Sequence, residues 1–406
     1  PIKLELSLSD SQLGLLGGLA FAVFYTFLGI PIAALADRRS RVKILAVSMV
    51  IWSAMTAVCG LATSFWMLRM ARIGVGVGEA GASPPSHSLI SDYFPIDKRA
   101  TALSIYALGI PFGTMIGSYV GGWGADELGW RYTFFLVGIP GIFVAMIIAL
   151  TLREPPRGLS DVKPAQSAAQ KAATEAAPKP EAPQVKEVLN FLWAKVSFRH
   201  LSFAAGLHAF VSYGASTWNA PFFTRIHSMS STDLGAALAL VAGVGAIGTF
   251  AGGYLSDKLS DRTGDKRWYF WVPGIATIIM VPFQLVAYLY DGTTAAIASL
   301  CMVAIMGNVY LGPSFAMTQA LVSLRMRAVA SAILLFVLNL IGMGLGPYFV
   351  GILSDLFAPT FGVESLRYAL CIAVLVNLWA GVHYMLGARS MRGDLLETEA
   401  MNAKLV

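Results

Sequence analysis

Three charged residues, Arg69, Arg72 and Glu79, fall together within residues 67–91, a stretch that otherwise lacks charge and is rich in apolar residues and glycine. If that stretch is a helix entering a bilayer near Met67, Glu79 lies about 18 Å along it, close to the middle of a hydrocarbon layer of about 30 Å. A charge at that depth costs several kcal/mol unless it is paired or hydrated, so an acid there is a functional candidate by default. Arg72 precedes it by two helical turns and shares nearly the same face. A carboxyl that changes protonation as water or a cation approaches can couple proton movement to another event. The blander role for Glu79 is a hydrogen bond to a neighbouring helix across the smooth face made by Gly74, Gly76, Gly78 and Gly81. His208 and His87 belong to the residue type that titrates near neutral pH, although a lone helical His is more often a structural hydrogen-bonder.

A second pattern occurs twice. Asp37, Arg38, Arg39, Arg41 and Lys43 close one long apolar run, and Asp257, Lys258, Asp261 and Arg262 close another about 220 residues later. An acid followed by bases is expected where a membrane helix meets the cytoplasm and turns back, so the chain reads as two related halves. Asp37 is positioned to meet the positive N-terminal end of a helix beginning near Arg327 and Ala328, and Arg41 to reach Asp92. Asp257 would make the symmetric contact near Arg99 and Ala100. Such pairs would latch the cytoplasmic side. Topology alone needs the bases but not acids at matching places in both halves, which favours the latch over charges that merely fix orientation.

Composition sets what must position these groups. Of 406 residues, 56% are hydrophobic and only 13% charged, with 40 glycines and 16 methionines, which excludes a single soluble core and indicates a polytopic helical membrane protein. Eleven charge-poor runs are long enough to cross a bilayer: 12–36, 43–63, 67–91, 100–124, 131–152, 199–223, 233–256, 268–290, 295–320, 327–355 and 365–387. The second half has a span, 199–223, before the one ending at Asp257, with no counterpart before the one ending at Asp37. A further helix ahead of Pro1 is therefore expected, giving six plus six. Basic residues crowd the loops on one side, which the positive-inside rule makes cytoplasmic. The net charge of +6 then belongs to anionic lipid headgroups rather than to nucleic acid.

The expected domains are an N-terminal bundle (1–158), a cytoplasmic linker with an amphipathic helix (159–198), a C-terminal bundle (199–392) and a cytoplasmic tail (393–406). Residues 159–184 are rich in Ala, Pro, Lys, Glu and Gln and cannot bury enough surface to offset their ordering entropy. Val185, Val188, Leu189, Leu192, Trp193 and Val196 then recur at helical spacing, which fits a helix lying on the inner leaflet or one packed under the bundle. Cys59, Cys301 and Cys371 sit in apolar runs and form neither a metal site nor a disulfide framework. No cofactor or metal is expected.

On these residues the chain resembles a known family. The stretch around Asp37–Arg41 is similar to the signature loop of the major facilitator superfamily, with Ala33 where glycine is usual and Ser40 in place of the loop glycine, and the Asp257 copy is similar to its partner. Gly74–Gly81 with Glu79, Ser91–Pro95 with Lys98–Ala100, and the run Arg153-Glu154-Pro155-Pro156-Arg157-Gly158 narrow the resemblance to Spinster-like transporters. It implies an all-α fold of two pseudo-symmetric six-helix bundles and no enzymatic chemistry. It also implies an Asp-Arg pair on the helix expected ahead of Pro1, working with Glu79. Gly109, Pro111, Gly113, Gly117, Gly121 and Gly122 in one half, and Gly342, Gly344, Gly346, Pro347 and Gly351 in the other, mark helices that could slide. Candidate cavity residues are Tyr213, Trp218, Asn219, Asn308, Tyr310, Phe315 and Thr318, with Phe24, Tyr25 and Asn339 as additions. This aromatic, neutral polar lining with one cation suits an amphiphile with an anionic end. The expected function is a proton-linked, monomeric carrier of a lysophospholipid or sphingoid lipid working by alternating access. Its partners would be protons, membrane lipids and that substrate. The alternatives are a carrier of small organic anions or, from another class, an uncoupled lipid scramblase or sensor.

Overall fold

The structure is a computed structural model that describes residues 2–36, 38–94, 98, 102–103, 105–106, 108–156, 184–323 and 326–403. Among these residues every regular element is helical. In chain order they are α1 (Ile2–Glu5), α2 (Asp10–Gly17), α3 (Leu19–Ala36), α4 (Arg41–Cys59), α5 (Phe65–Glu79), α6 (Ser83–Tyr93), α7 (Gly109–Glu127), α8 (Trp130–Thr151), α9 (Val185–Ala194) and α10 (Val196–Ile226). There follow α11 (Ser231–Thr263), α12 (Trp268–Leu289), α13 (Thr293–Gly307), α14 (Leu311–Ala320), α15 (Arg327–Val337), a π-helical segment (Leu338–Leu345), α16 (Gly346–Phe361) and α17 (Ser365–Ala403). Each of the eleven expected spans is matched by one of these helices or by a broken pair of them. Seven described stretches are long and apolar enough to cross a membrane by length and composition. This is an all-α integral membrane protein.

Among the described residues four spans are not continuous helices: 12–36 is interrupted at Gly18, and the other three have reasons visible in their residues. The span 67–91 is interrupted between Glu79 and Ser83, and 295–320 between Gly307 and Leu311. Pro84, Pro85 and Pro313 carry no N–H, so the carbonyls of Ala80, Gly81 and Val309 lose the donors a helix would supply. The span 327–355 changes pitch over Leu338–Leu345, the widened winding that often marks functional positions.

The described chain divides into two compact units that do not follow the sequence halves: residues 1–23, 114–130 and 183–406 form the larger, and 24–113 with 131–182 the smaller. In the smaller unit, α5 lies on α4 through its glycines. A β-carbon on Gly78 would stand 2.5 Å from the Trp52 nitrogen, and one on Gly74 2.5 Å from the Met55 side chain. In the larger unit two apolar clusters form the core, one around Phe198, Phe270 and Met317, the other around Trp218, Phe222 and Leu370. Helix α9 contributes Val188 and Leu192 to the first cluster while leaving Val185, Leu189 and Trp193 exposed. It is thus packed under the bundle yet apolar on its outer face as well. The expected tail from 393 is instead a continuation of α17 to Ala403. Leu395 and Thr398 are buried there, Thr398 donates to the Leu321 carbonyl at 3.1 Å, and Asp394 caps α10 through the Ser197 N–H and hydroxyl at 2.8 and 2.6 Å. The expected linker at 159–183 lies outside the described residues.

Candidate functional site

Glu79 is the last residue of α5, half-buried at the break that Pro84 and Pro85 impose. Gly74 and Gly78 turn one face of α5 onto α4, and at about 100° per residue Glu79 and Arg72 project well away from it. Arg72 acts electrostatically on Glu79 and on Cys59. The Tyr25 hydroxyl of α3 is hydrogen-bonded to Ser83, the first residue of α6, and also lies within the field of Glu79. A carboxyl is therefore held where one helix stops and the next begins, within the electrostatic reach of a guanidinium and a phenol.

The loop side of the same unit is organised by Arg41, which is 1% exposed. Its guanidinium pairs with Asp92, donates to Glu154 at 2.7 Å and to the Ser88 hydroxyl at 2.8 Å, and reaches the Pro155 carbonyl at 2.9 Å. Glu154 in turn accepts from the Val42 N–H at 3.0 Å and from Ser40, the N-cap of α4, at 2.8 Å. Burial alone would raise the Glu154 carboxyl, but the Val42 N–H, Arg41 and the Ser40 hydroxyl hold it below the usual carboxylate range. The expected Arg41–Asp92 contact is present. Every one of these partners belongs to the smaller unit, so the contact ties α4, α6 and the segment after α8 to one another. Sequence reasoning gave Glu154 no role; an acid placed directly after a span, ahead of Pro155 and Pro156, was the available signal.

The second repeat has a break at the same register, built without charge. His208 of α10, fully buried, donates from Nε2 to the Gly307 carbonyl at 2.8 Å, which leaves Nδ1 to accept from the Thr277 hydroxyl at 3.0 Å. Tyr310 covers the imidazole with ring centroids 4.1 Å apart, and the Asn308 amide donates to the Gly245 carbonyl at 3.0 Å. Both imidazole nitrogens are thus used within the fold, which makes His208 a joint between helices.

Comparison with known proteins agrees with this arrangement. A family model described as Major Facilitator Superfamily matches residues 1–347. An MFS-type efflux pump of Mycolicibacterium smegmatis is 30% identical over 405 residues, 98% of this chain and 88% of the pump. The crystal structure of a bacterial homologue of the human lysosomal transporter Spinster, in an inward-facing and unoccupied conformation, matches with a TM-score of 0.87 at 36% identity, covering 97% of this chain and 92% of that one. The chain belongs to the Major Facilitator Superfamily, in its Spinster-like branch. A sphingosine-1-phosphate transporter of Danio rerio is 25% identical over 399 residues, 95% of this chain and 78% of that protein.

Within this transporter family fold the remaining expected residues divide. Asp37, Arg99 and Ala100 lie outside the described residues, so two of the three expected latch contacts have no described partner. Arg38 is exposed. Asp257 is exposed and accepts from the Tyr269 hydroxyl at 2.5 Å, Lys258 donates to the Tyr254 hydroxyl at 2.9 Å, and Arg262 is exposed at the end of α11. Three of the expected cavity residues are corrected to packing roles. Trp218 is 1% exposed with its indole N–H on the Pro347 carbonyl at 2.8 Å, Thr318 is buried with its hydroxyl on the Ser314 carbonyl at 2.8 Å, and buried Tyr310 packs its ring, tilted by 37°, against His208. Tyr213 and Asn308 are exposed, Phe315 is half-buried, and half-buried Asn219 accepts from the Tyr288 hydroxyl at 2.9 Å. Asn339 is buried in the π-helical segment.

Proposed function

We propose that this protein is a proton-linked secondary carrier of a single-chain, anionic, lipid-like amphiphile, working by alternating access with its basic loops in the cytoplasm, as a monomer of a bacterial inner membrane. The observation that carries the reading is Glu79, a carboxyl at a proline-made helix break within the electrostatic reach of Arg72 and Tyr25. A membrane-embedded acid is expensive to keep and so points to ion movement. Arg72 is the cation that an anionic headgroup would meet on the span that carries Glu79. The Danio rerio relative, which carries sphingosine-1-phosphate by name, supports that ligand class.

The test is a chain-length series of lysophospholipids on the purified protein in liposomes. Each buried methylene contributes about 0.8 kcal/mol, so affinity should rise about fourfold per carbon until the cavity is filled. Arg72→Ala should weaken every member by a similar factor. Binding that ignores chain length, or equal competition by short carboxylates, contradicts the amphiphile and supports the organic-anion carrier.

A further inference from the structure

At the end of the bundle opposite the basic loops, two carboxylates that the transport reading does not use perform the same task in mirrored places. Asp355 of α16 accepts from the backbone N–H groups of Asp10 and Ser11 at 2.9 and 2.8 Å and from the Ser11 hydroxyl at 2.5 Å, so it caps the first turn of α2. Asp126 of α7 accepts from the Thr232 N–H and hydroxyl at 2.7 and 2.9 Å and caps the first turn of α11. In both cases the hydroxyl belongs to the second residue after a serine N-cap, Ser9 or Ser230. The helix contacts are equally matched. A β-carbon on Gly14 would stand 2.4 Å from the Pro347 carbonyl oxygen and one on Gly351 2.4 Å from that of Asp10, while one on Gly122 would meet Ser231 at 2.1 Å and one on Gly235 would meet Ser118 at 2.6 Å.

The exchange is reciprocal: a second-repeat acid holds a first-repeat helix, and a first-repeat acid holds a second-repeat helix. All of these residues lie in the larger unit, whose boundary cuts through α3 and α7, so the ends of two first-repeat spans are packed with the second repeat. The Asp355 contact is the more elaborate. Beside it Asp10, 3% exposed, binds Arg225 through both oxygens at 2.6 and 2.7 Å, Lys3 at 2.6 Å and the Ser354 hydroxyl at 2.7 Å, and Arg225 lies over the Trp218 ring. Asp126 is exposed.

We propose that Asp355 and Asp126 are paired latches that keep this end of the transporter shut, each by capping a helix of the opposite repeat, and that both caps must part for this end to open. The inference rests on alternating access. Capping suits a latch because the orphan N–H groups can be satisfied by water once the helices separate, so the cost of opening is moderate.

The experiment is a pair of spin labels at Leu4 and Val363, both exposed in the larger unit, in a background with Cys59, Cys301 and Cys371 replaced by Ser. Distances are measured in liposomes at pH 5 and pH 8, with and without lysophosphatidylglycerol. Asp355→Ala should raise the long-distance population about fivefold, the usual effect of one lost cap, and Asp126→Ala about twofold, with Asp355→Asn nearer the parent protein because an amide oxygen still caps. If the alanine variants do not fold, Ser11→Ala, which removes one bond of the cap, should still raise that population measurably. A parent protein that opens with ligand or pH while every variant keeps its distribution overturns the latches and leaves alternating access standing. A short distance in every protein under every condition overturns both.

Discussion

The two broken helices of this transporter are nearly superimposable in design and opposite in chemistry. Helices α5 and α13 are each 15 residues long, each is followed by three residues before the next helix, and Pro85 and Pro313 occupy the third position of α6 and α14. Where the first has Glu79 the second has Gly307. At Gly307 the carbonyl freed at the break is satisfied by His208, and Thr277, Asn308 and Tyr310 complete a neutral joint. At Glu79 a carboxyl ends the helix within the field of Arg72, two turns earlier, and of Tyr25. Duplication kept the backbone solution to helix bending, while charge was placed in one copy only. A joint whose polar groups are all paired is a hinge, whereas a break holding an ionisable group can also be a switch.

The loops repeat this contrast, and there the largest effects are expected. Arg41→Ala leaves Asp92 buried without its cation and should destabilise the protein by about 3–5 kcal/mol in detergent unfolding, whereas Arg262→Ala, at an exposed site, should stay within about 0.5 kcal/mol. Equal losses would mean that the two repeats are not differently built. Next, His208→Phe keeps the ring volume but strands the Gly307 carbonyl, at about 1–3 kcal/mol. If its melting temperature equals that of the parent protein, the second break is not held by the imidazole. The smallest effect concerns pH. The Glu154 contacts contribute stability that is complete above the ordinary Glu value of 4.5 and is lost as pH falls below it, and Asp265, held down to about 2 by Arg267 and then Arg392, behaves the same way at lower pH. Stability should also weaken as pH falls through 6.5, because burial, and then Arg367, hold His227 below the ordinary imidazole value, so the unfolded chain takes up the proton more readily; an unfolding curve flat between pH 5 and 8 would contradict this.

Much of this was legible in the residues. Eleven apolar runs set the spans because nothing else in so charge-poor a chain can bury them, and Arg41 with Asp92 followed from acids and bases at span ends. The breaks were legible too, in Pro84, Pro85 and Pro313, yet a hydropathy run does not register a missing N–H. Glu154 lies 113 residues from Arg41, and no local spacing joins them. Trp218, Thr318 and Tyr310 failed as cavity residues because periodicity says that a helix has faces without saying which face meets a neighbour. The pairing of Asp10 with Arg225 and the cap supplied by Asp355 are matters of tertiary structure that no local spacing shows.

The central claim is that ionisation matters at the first break and not at the second. It is tested most directly by pH-gradient-driven transport of a lysophospholipid in liposomes, with Glu79→Gln and His208→Gln measured side by side. Glu79→Gln should bind ligand normally and lose at least tenfold in gradient-driven rate, about 1.4 kcal/mol or more in the driven step, while His208→Gln should still respond to the gradient in proportion to the folded protein present. A Glu79→Gln protein that follows the gradient like the parent, or a His208→Gln protein that folds but ignores it, would contradict the account.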